Sequence, residues 1–376
     1  MQKIVVCYWI NRQSNKGVLS MKVFNFNAGP AMLPASVMER AQKEFCNYNN
    51  TGCGIFEHSH RGAAFQAVLD KTNQNIRDVY GVPENYDIVY IQGGASMQFA
   101  MIPMNLMQGA ADFVDTGTWS SKAMKEAKAF GEVRLAASSK ETKYDHIPDF
   151  SEWKLSDDAS YVHITSNNTI YGTQYRTFPK TKAPLIADMS SDIMSRRVNV
   201  ADFGMIYAGA QKNLGPSGLA LVIIRKDLVE RTPANVPTML RYSTYTENDS
   251  LYNTPPTFGI YMIGLVTDWL KEIGGMEAIE KMNEEKAALL YNAIDASNGY
   301  FSTPVKKDSR SLMNVVFRLP TEELEAKFIK MATENGMIGL KGHRSVGGVR
   351  ASIYNAMPRE GVEKLVDLME NFRKNN

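Results

Sequence analysis

Asp188 and Lys212 are the residues from which a chemical reading of this chain starts. Asp188 closes a short apolar run at 184–187, and Lys212 follows a second run at 205–208 by way of Gly209-Ala210-Gln211. A turn at Gly215-Pro216-Ser217-Gly218 then leads into a third run, 219–224. Short continuous apolar runs bounded by Gly and Pro read as strands buried on both faces. Both residues therefore stand at strand ends, on the edge of an open α/β sheet where ligands bind. A lysine among small residues and tight turns can be held partly desolvated, which lowers its pKa and frees an amine to form a Schiff base. A carboxylate across the same crevice can keep a pyridinium nitrogen protonated. That is the division of labour a pyridoxal phosphate enzyme requires. Taken singly, each residue has a plainer account: isolated lysines mostly sit in solvent, and strand-end aspartates often cap helices.

Other candidates are spread along the chain. Residues 88–91 read as a strand, followed by Gly93-Gly94-Ala95-Ser96 at a helix start. Backbone N–H groups and the positive helix end suit a phosphate there. The loop is neither a P-loop nor a dinucleotide fingerprint, since it lacks GxxxxGKS/T and GxGxxG. His60 and Arg61 precede a helix expected over 64–80 and suit an anion, although a solvated helix start explains them equally. Asp115-Thr116-Gly117-Thr118-Trp119 again runs from strand to helix. Trp119 can lie flat on a planar ring, and a tryptophan there also serves as core.

The elements that must position these groups follow from pattern. Strands alternating with helical segments through residue 225 predict a largely parallel sheet covered by helices. Pro34 opens an amphipathic helix, and further helices are expected over 260–273, 276–296, 322–335 and 359–373, with a strand at 312–319. The last third thus reads as an α+β unit with fewer strands. A chain of 376 residues is expected to form two domains. The expected division is an N-terminal extension 1–20, a segment 21–35 packing with the small domain, a large cofactor-binding domain 36–274 and a small C-terminal domain 275–376. The apolar run at 4–10 is too short for a signal peptide, so Met21 is expected to be the functional start and 1–20 a dispensable leader.

No apolar run approaches the roughly twenty residues of a membrane span. With 22% charged residues, 44% apolar residues and a net charge of +2, the composition is that of a soluble globular protein. It gives no ground for a nucleic-acid or membrane partner. Three cysteines, Cys7, Cys46 and Cys53, are too few and irregular for a disulfide framework or a metal site, which points to a reducing cytoplasm.

Nine stretches then fall into one order: FNAGPAMLP (26–34), SHRG (59–62), GGASMQF (93–99), DTGTW (115–119), NNTIYG (167–172), the Asp188 strand end, YAGAQKNLGPSG (207–218), YNTPPTF (252–258) and KGHRSVGGVRASIYNAM (341–357). From about Phe24 to about Phe372 the chain resembles the phosphoserine aminotransferase family, class-V aminotransferases of fold type I among pyridoxal phosphate enzymes. The resemblance implies an aspartate-aminotransferase-like α/β fold. Its large domain would carry a mostly parallel seven-stranded sheet, and its smaller C-terminal domain would be α+β. The implied reaction is transamination of O-phospho-L-serine with 2-oxoglutarate to give 3-phosphooxypyruvate and L-glutamate, run in reverse in serine biosynthesis. Some members also use 4-phosphooxy-L-threonine, in vitamin B6 biosynthesis.

Roles carry over residue by residue. Lys212 would hold the cofactor as a Schiff base and move the proton at the substrate Cα, while Asp188 would pair with the ring nitrogen. Trp119 would stack on the ring, and Thr169 would bond its phenolic oxygen. The backbone of Ala95 and Ser96, with the Gln211 side chain, would cup the phosphate. Asn253 and Thr254 of the partner subunit would reach the same phosphate, making a homodimer with shared sites. Arg350 would pair with the substrate α-carboxylate, for which a planar guanidinium is suited. His343 and Arg344, with His60 and Arg61 of the partner subunit, would hold the substrate phosphate or the side-chain carboxylate of glutamate. Some members carry an arginine where this chain has Ser96, which leaves its anion pocket one charge short.

Relatives on the same scaffold are the nearest alternatives. One is an alanine–glyoxylate-type aminotransferase. Another is a cysteine desulfurase, whose mobile catalytic cysteine has no counterpart in the later loops, because Cys46 and Cys53 lie early. A binding protein without turnover is expected to have lost some of Lys212, Asp188 and Arg350. A cofactor-free Schiff-base aldolase would use Lys212 but leave the phosphate loop and Trp119 idle.

Overall fold

The computed structural model describes residues 23–376, so the leader expected over 1–20 and the start expected at Met21 lie outside the described residues. Its central sheet has seven strands: β1 (Tyr86–Gln92), β2 (Ala110–Asp115), β3 (Glu132–Ser138), β4 (Val162–Thr165), β5 (Leu185–Asp188), β6 (Met205–Gly209) and β7 (Leu219–Arg225). Their spatial order is β1-β7-β6-β5-β4-β2-β3. From β6 to β3 all neighbours pair in parallel, and β7 runs antiparallel to β6 and β1. Every residue of β5 and β6 is buried, as the continuous apolar runs require at the centre of a sheet covered on both faces.

Alternation along β1 shows the two faces. Ile88 and Tyr90 enter one core with helices α2 (Ala63–Tyr80) and α5 (Thr257–Glu272). Val89 and Ile91 enter another with α3 (Gly94–Leu106) and α4 (Thr118–Ala127). The edge strand β3, EVRLAAS, carries no continuous apolar run and buries only Ala136 fully. An edge pairs on one side and faces solvent, so it lacks the signal that marks the central strands, and pattern reading passes over it.

The remaining long helices are α1 (Ala35–Glu44), α6 (Gly275–Asp295), α7 (Glu322–Glu334) and α8 (Arg359–Asn375). A separate core gathers Leu290 and Ile294 of α6, Phe328 of α7, Leu365 and Phe372 of α8, and an antiparallel strand pair, β8 (Asn314–Phe317) and β9 (Val349–Ser352). Phe24 and Phe26 join this core, and Phe24–Asn25 pairs in parallel with Met337–Ile338. Helix α6 serves both units: Met276 and Ile279 belong to the core of the large sheet, whereas Ala287, Leu290 and Ile294 belong to the smaller one. Among the described residues no helix is long and apolar enough to cross a membrane. What positions the site is the common end of the parallel strands, where Thr165, Asp188 and Tyr207 stand in register.

Candidate active site

Asp188 is the last residue of β5 and only 5% exposed. Its Oδ1 accepts from the backbone N–H of Ser190 at 2.9 Å and from the Ser190 hydroxyl at 2.6 Å. The Ser190 hydroxyl in turn accepts from the N–H of Gly209 at 3.0 Å, which ties the ends of β5 and β6 together. Burial pushes the Asp188 carboxyl up, and the Ser190 bonds and the charge of Lys212 oppose it. Both short bonds land on Oδ1, so Oδ2 is left for a partner at the cavity wall.

Lys212 lies in the connection between β6 and β7, half-buried. Burial pulls its ammonium down to about 8; the Asp188 carboxylate resists this and the positive charge of Arg350 adds to it. Gly29 lies against its stem, and Ala28 and Pro30 line the same cavity. At Gly29, φ is +142°, and an added Cβ would come within 3.3 Å of Lys212 Cγ, so only glycine fits without displacing the lysine. The N–H of Ala31 donates to the Gln211 carbonyl at 2.9 Å and fastens that segment to the lysine turn.

Opposite them, the Trp119 indole N–H donates to Thr169 Oγ1 at 3.0 Å. Arg350 of β9 donates through Nη1 to the Thr169 carbonyl at 3.1 Å, while its buried Nε has no partner. Burial lowers the Arg350 pKa from its ordinary value. Helix α3 begins without a side-chain cap and without an acidic residue in its first turn, so its leading N–H groups are open to an anion. Gly93, at φ +95°, makes the turn before it and donates its N–H to the Gly218 carbonyl at 3.1 Å.

Nine of the residues singled out from sequence line one cavity of about 660 Å³: Ala95, Ser96, Trp119, Thr169, Asp188, Gln211, Lys212, His343 and Arg350. Five do not. Asn253 and Thr254 are exposed just before α5, with the Thr254 carbonyl accepting from Gln92 Nε2 at 3.0 Å. Arg61 and Arg344 are exposed, and His60 has a buried Nε2 without a partner. His343 Nδ1 lies 2.7 Å from Ser345 Oγ, and burial with the charges of Arg350, Arg344 and Lys122 lowers its pKa. Sequence reasoning missed Ser190. A serine two residues after a strand-end aspartate was the available signal, since aspartate accepts from the backbone two residues on.

The donor set fits pyridoxal phosphate. It offers an uncapped helix end for a phosphate, an unengaged oxygen on a buried carboxylate for a ring nitrogen, and a partly desolvated lysine for an aldehyde. The aminotransferase class-V family model matches residues 23–365. A phosphoserine aminotransferase of Alkalihalobacillus alcalophilus is 55% identical over 357 residues, covering 94% of this chain and 99% of its own. The chain belongs to the class-V aminotransferase family, on its phosphoserine aminotransferase branch. Solved structures of this branch agree in fold. That of the phosphoserine aminotransferase from Bacillus circulans subsp. alkalophilus is 54% identical with a TM-score of 0.93, covering 94% of this chain and 99% of that one. A pyridoxal-phosphate-bound phosphoserine aminotransferase from Trichomonas vaginalis is 40% identical with a TM-score of 0.89, covering 93% of this chain and 100% of that one. The α/β architecture with its mostly parallel seven-stranded sheet is thus the aminotransferase fold expected from the sequence.

Proposed function

We propose that this protein is a phosphoserine transaminase with pyridoxal phosphate as its cofactor. It exchanges the amino group of O-phospho-L-serine with 2-oxoglutarate to give 3-phosphooxypyruvate and L-glutamate, and runs in reverse in serine biosynthesis. The observation that carries the reading is the meeting of Lys212, Asp188 and Arg350 in one cavity of a chain 55% identical to a phosphoserine aminotransferase.

The backbone of Ala95 and Ser96, with the side chain of Gln211, would hold the cofactor phosphate. Trp119 would cover the ring, and Thr169 and Asp188 would take its phenolic oxygen and its nitrogen. Bound pyridoxal phosphate supplies an aldehyde that takes up amino groups and a ring that withdraws electrons from the substrate Cα. Arg350 binds the α-carboxylate as a bidentate pair and so aims the Cα–H bond. Lys212 removes that proton and returns it on the other side of the exchange, a task suited to an amine whose burial brings its pKa to about 8. The two Ser190 bonds favour the anionic form of Asp188 against its burial, and that form would balance positive charge at the ring nitrogen.

His343 and Arg344, with His60 and Arg61 of the partner subunit, bind the substrate phosphate or the glutamate carboxylate. Asn253 and Thr254 of the partner subunit complete the cofactor's phosphate seat, which makes the protein a homodimer. The exposure of Asn253, Thr254 and Arg61 outside their own cavity wall supports this. 4-Phosphooxy-L-threonine presents the same α-carboxylate and phosphate and is a further substrate. The unit 36–274 is the cofactor domain and 275–376 the small domain, with 21–35 joined to the latter, as the two cores support. The location proposed is the cytoplasm, which the sparse and irregular cysteines support.

The test is half-reaction spectroscopy on the holoenzyme, titrated separately with phosphoserine, serine, alanine and cysteine. Phosphoserine is expected to react fastest. A preference for alanine would replace this reading with an alanine–glyoxylate-type activity.

A further inference from the structure

Lys286, in the middle of α6, is 1% exposed, and no carboxylate among the described residues pairs with it. Its ammonium donates instead to backbone carbonyls: Tyr354 at 2.8 Å, Met357 at 3.0 Å, Ile353 at 3.1 Å and, more weakly, Asn355 at 3.4 Å. Burial pulls its pKa down to about 7. A buried cation costs free energy unless fully hydrogen-bonded. Here it gathers the carbonyls of 353–357, the stretch that follows β9. One turn earlier on the same helix, Asn283 donates through Nδ2 to Asn355 Oδ1 at 2.8 Å and to the Ser195 carbonyl at 2.9 Å.

The caged stretch reaches Lys212 from two sides. The Tyr354 hydroxyl donates to the Ala28 carbonyl at 2.7 Å, and the next residue, Gly29, packs on the Lys212 stem. The Asn355 N–H donates to Asn213 Oδ1 at 3.1 Å, on the residue that follows Lys212. Asn355 Nδ2 donates to the Met194 carbonyl at 2.7 Å, in the loop that descends from Asp188. Arg350 stands three residues before the stretch begins, on β9.

We propose that Lys286, with Asn283, is a positioning residue for the reaction: by caging 353–357 it makes Tyr354 and Asn355 a brace that sets the Lys212 amine against Asp188 and Arg350. The identity of the reaction rests on the transaminase reading; the brace does not. Asn213, Asn283, Lys286 and Asn355 are all at most 4% exposed. Asn283 Oδ1 is buried without a partner, but the bonds made by Asn283 Nδ2 and by the Lys286 ammonium are directional, whereas an apolar contact in their place can slide.

The experiment compares holoenzymes carrying Lys286→Met, Asn213→Ala and, as a core control away from the brace, Leu368→Ala. For the two brace variants the first half-reaction with phosphoserine should slow by about a hundred-fold while apparent substrate affinity stays within about threefold, the pattern of a misplaced reacting group. The pH at which the visible cofactor band titrates should move by about half a unit or more, because the charges around the Lys212 nitrogen have shifted. Leu368→Ala should lower the melting temperature and move neither readout. Brace variants with wild-type rates and an unmoved midpoint would overturn the proposal. Should Lys286→Met fail to fold, Asn213→Ala decides by the same two outcomes. If the wild-type protein does not transaminate phosphoserine, the functional reading falls, and the titration midpoint, which needs only bound cofactor, decides on the brace.

Discussion

The two halves of the site are built differently. On the cofactor side, Asp188, Thr169 and Ser190 are buried, and each side chain is tied by hydrogen bonds within one chain. Among the residues proposed to bind substrate, Arg61 and Arg344 are exposed, His60 has an unsatisfied ring nitrogen, and Arg350 has an unsatisfied Nε. A second cavity of about 630 Å³ continues from this side and shares Ile170, His343 and Arg350 with the first. Under the proposed assignment, fixed geometry surrounds the group that stays through the catalytic cycle, while loosely held charge meets the molecules that must enter and leave. Electrostatic preorganisation is therefore concentrated where charge develops in the transition state, and specificity is left to groups whose bonds form on binding.

That contrast orders the expected losses. Lys212→Ala should cost several orders of magnitude in turnover, because no other side chain in the cavity is placed as the base. Borohydride reduction and peptide mapping should put the pyridoxyl label on the peptide containing Gln211-Lys212-Asn213, and label on another lysine would break the comparison at its root. Asp188→Ala should lower turnover by about a hundred- to a thousand-fold with much less effect on substrate affinity. Equal losses in both would mean that the ring nitrogen faces some other group.

On the substrate side the losses should be smaller and selective. Each charge-assisted bond to a desolvated phosphate contributes about 1.5–3 kcal/mol. Arg344→Ala and Arg61→Ala should therefore weaken phosphoserine by roughly ten- to a hundred-fold and leave alanine nearly untouched. Arg350→Ala should instead slow phosphoserine, glutamate and alanine alike, since all three present an α-carboxylate. Half-reaction rates for the three substrates check this, and a uniform loss in Arg344→Ala would remove the distinction between the two arginines.

The finest effect is a titration. In the cofactor-free protein the Lys212 amine should titrate near 8 instead of the ordinary 10.5. Amine labelling of that residue should climb through pH 8 and level off above it. Because the folded pKa is the lower one, the unfolded chain holds the extra proton between these two values. The contribution of Lys212 to stability therefore rises with pH across that window and is least below pH 8. Asp188→Ala should move the midpoint down and Arg350→Ala should move it up, as loss of a negative and of a positive neighbour requires. Midpoints that stay in place would mean that burial alone sets the value.

Much of this protein is legible from local chemistry. Continuous apolar runs ending in Asp188 and Gly209 marked the central strands, since burial on both faces leaves no room for polar residues. The Gly93-Gly94 turn and the Lys212 turn carried the proposed cofactor anchors on short contiguous stretches, and both line the same cavity. The edge strand β3 was silent because a half-solvated strand needs no apolar run.

Tertiary structure alone decided the rest, through contacts between residues far apart in sequence. Helix α6 reads as an ordinary amphipathic helix, and nothing local shows that Lys286 meets four carbonyls some seventy residues later or that Asn283 links Ser195 to Asn355. The hold of Thr169 on Trp119 and the grip of Ser190 on both Asp188 and Gly209 likewise exist only once the strand ends are brought side by side. Periodicity and turn chemistry act over a few residues and so determined the elements and the reactive groups. Burial and hydrogen bonding across the fold act between distant segments, and they determined how those groups are held.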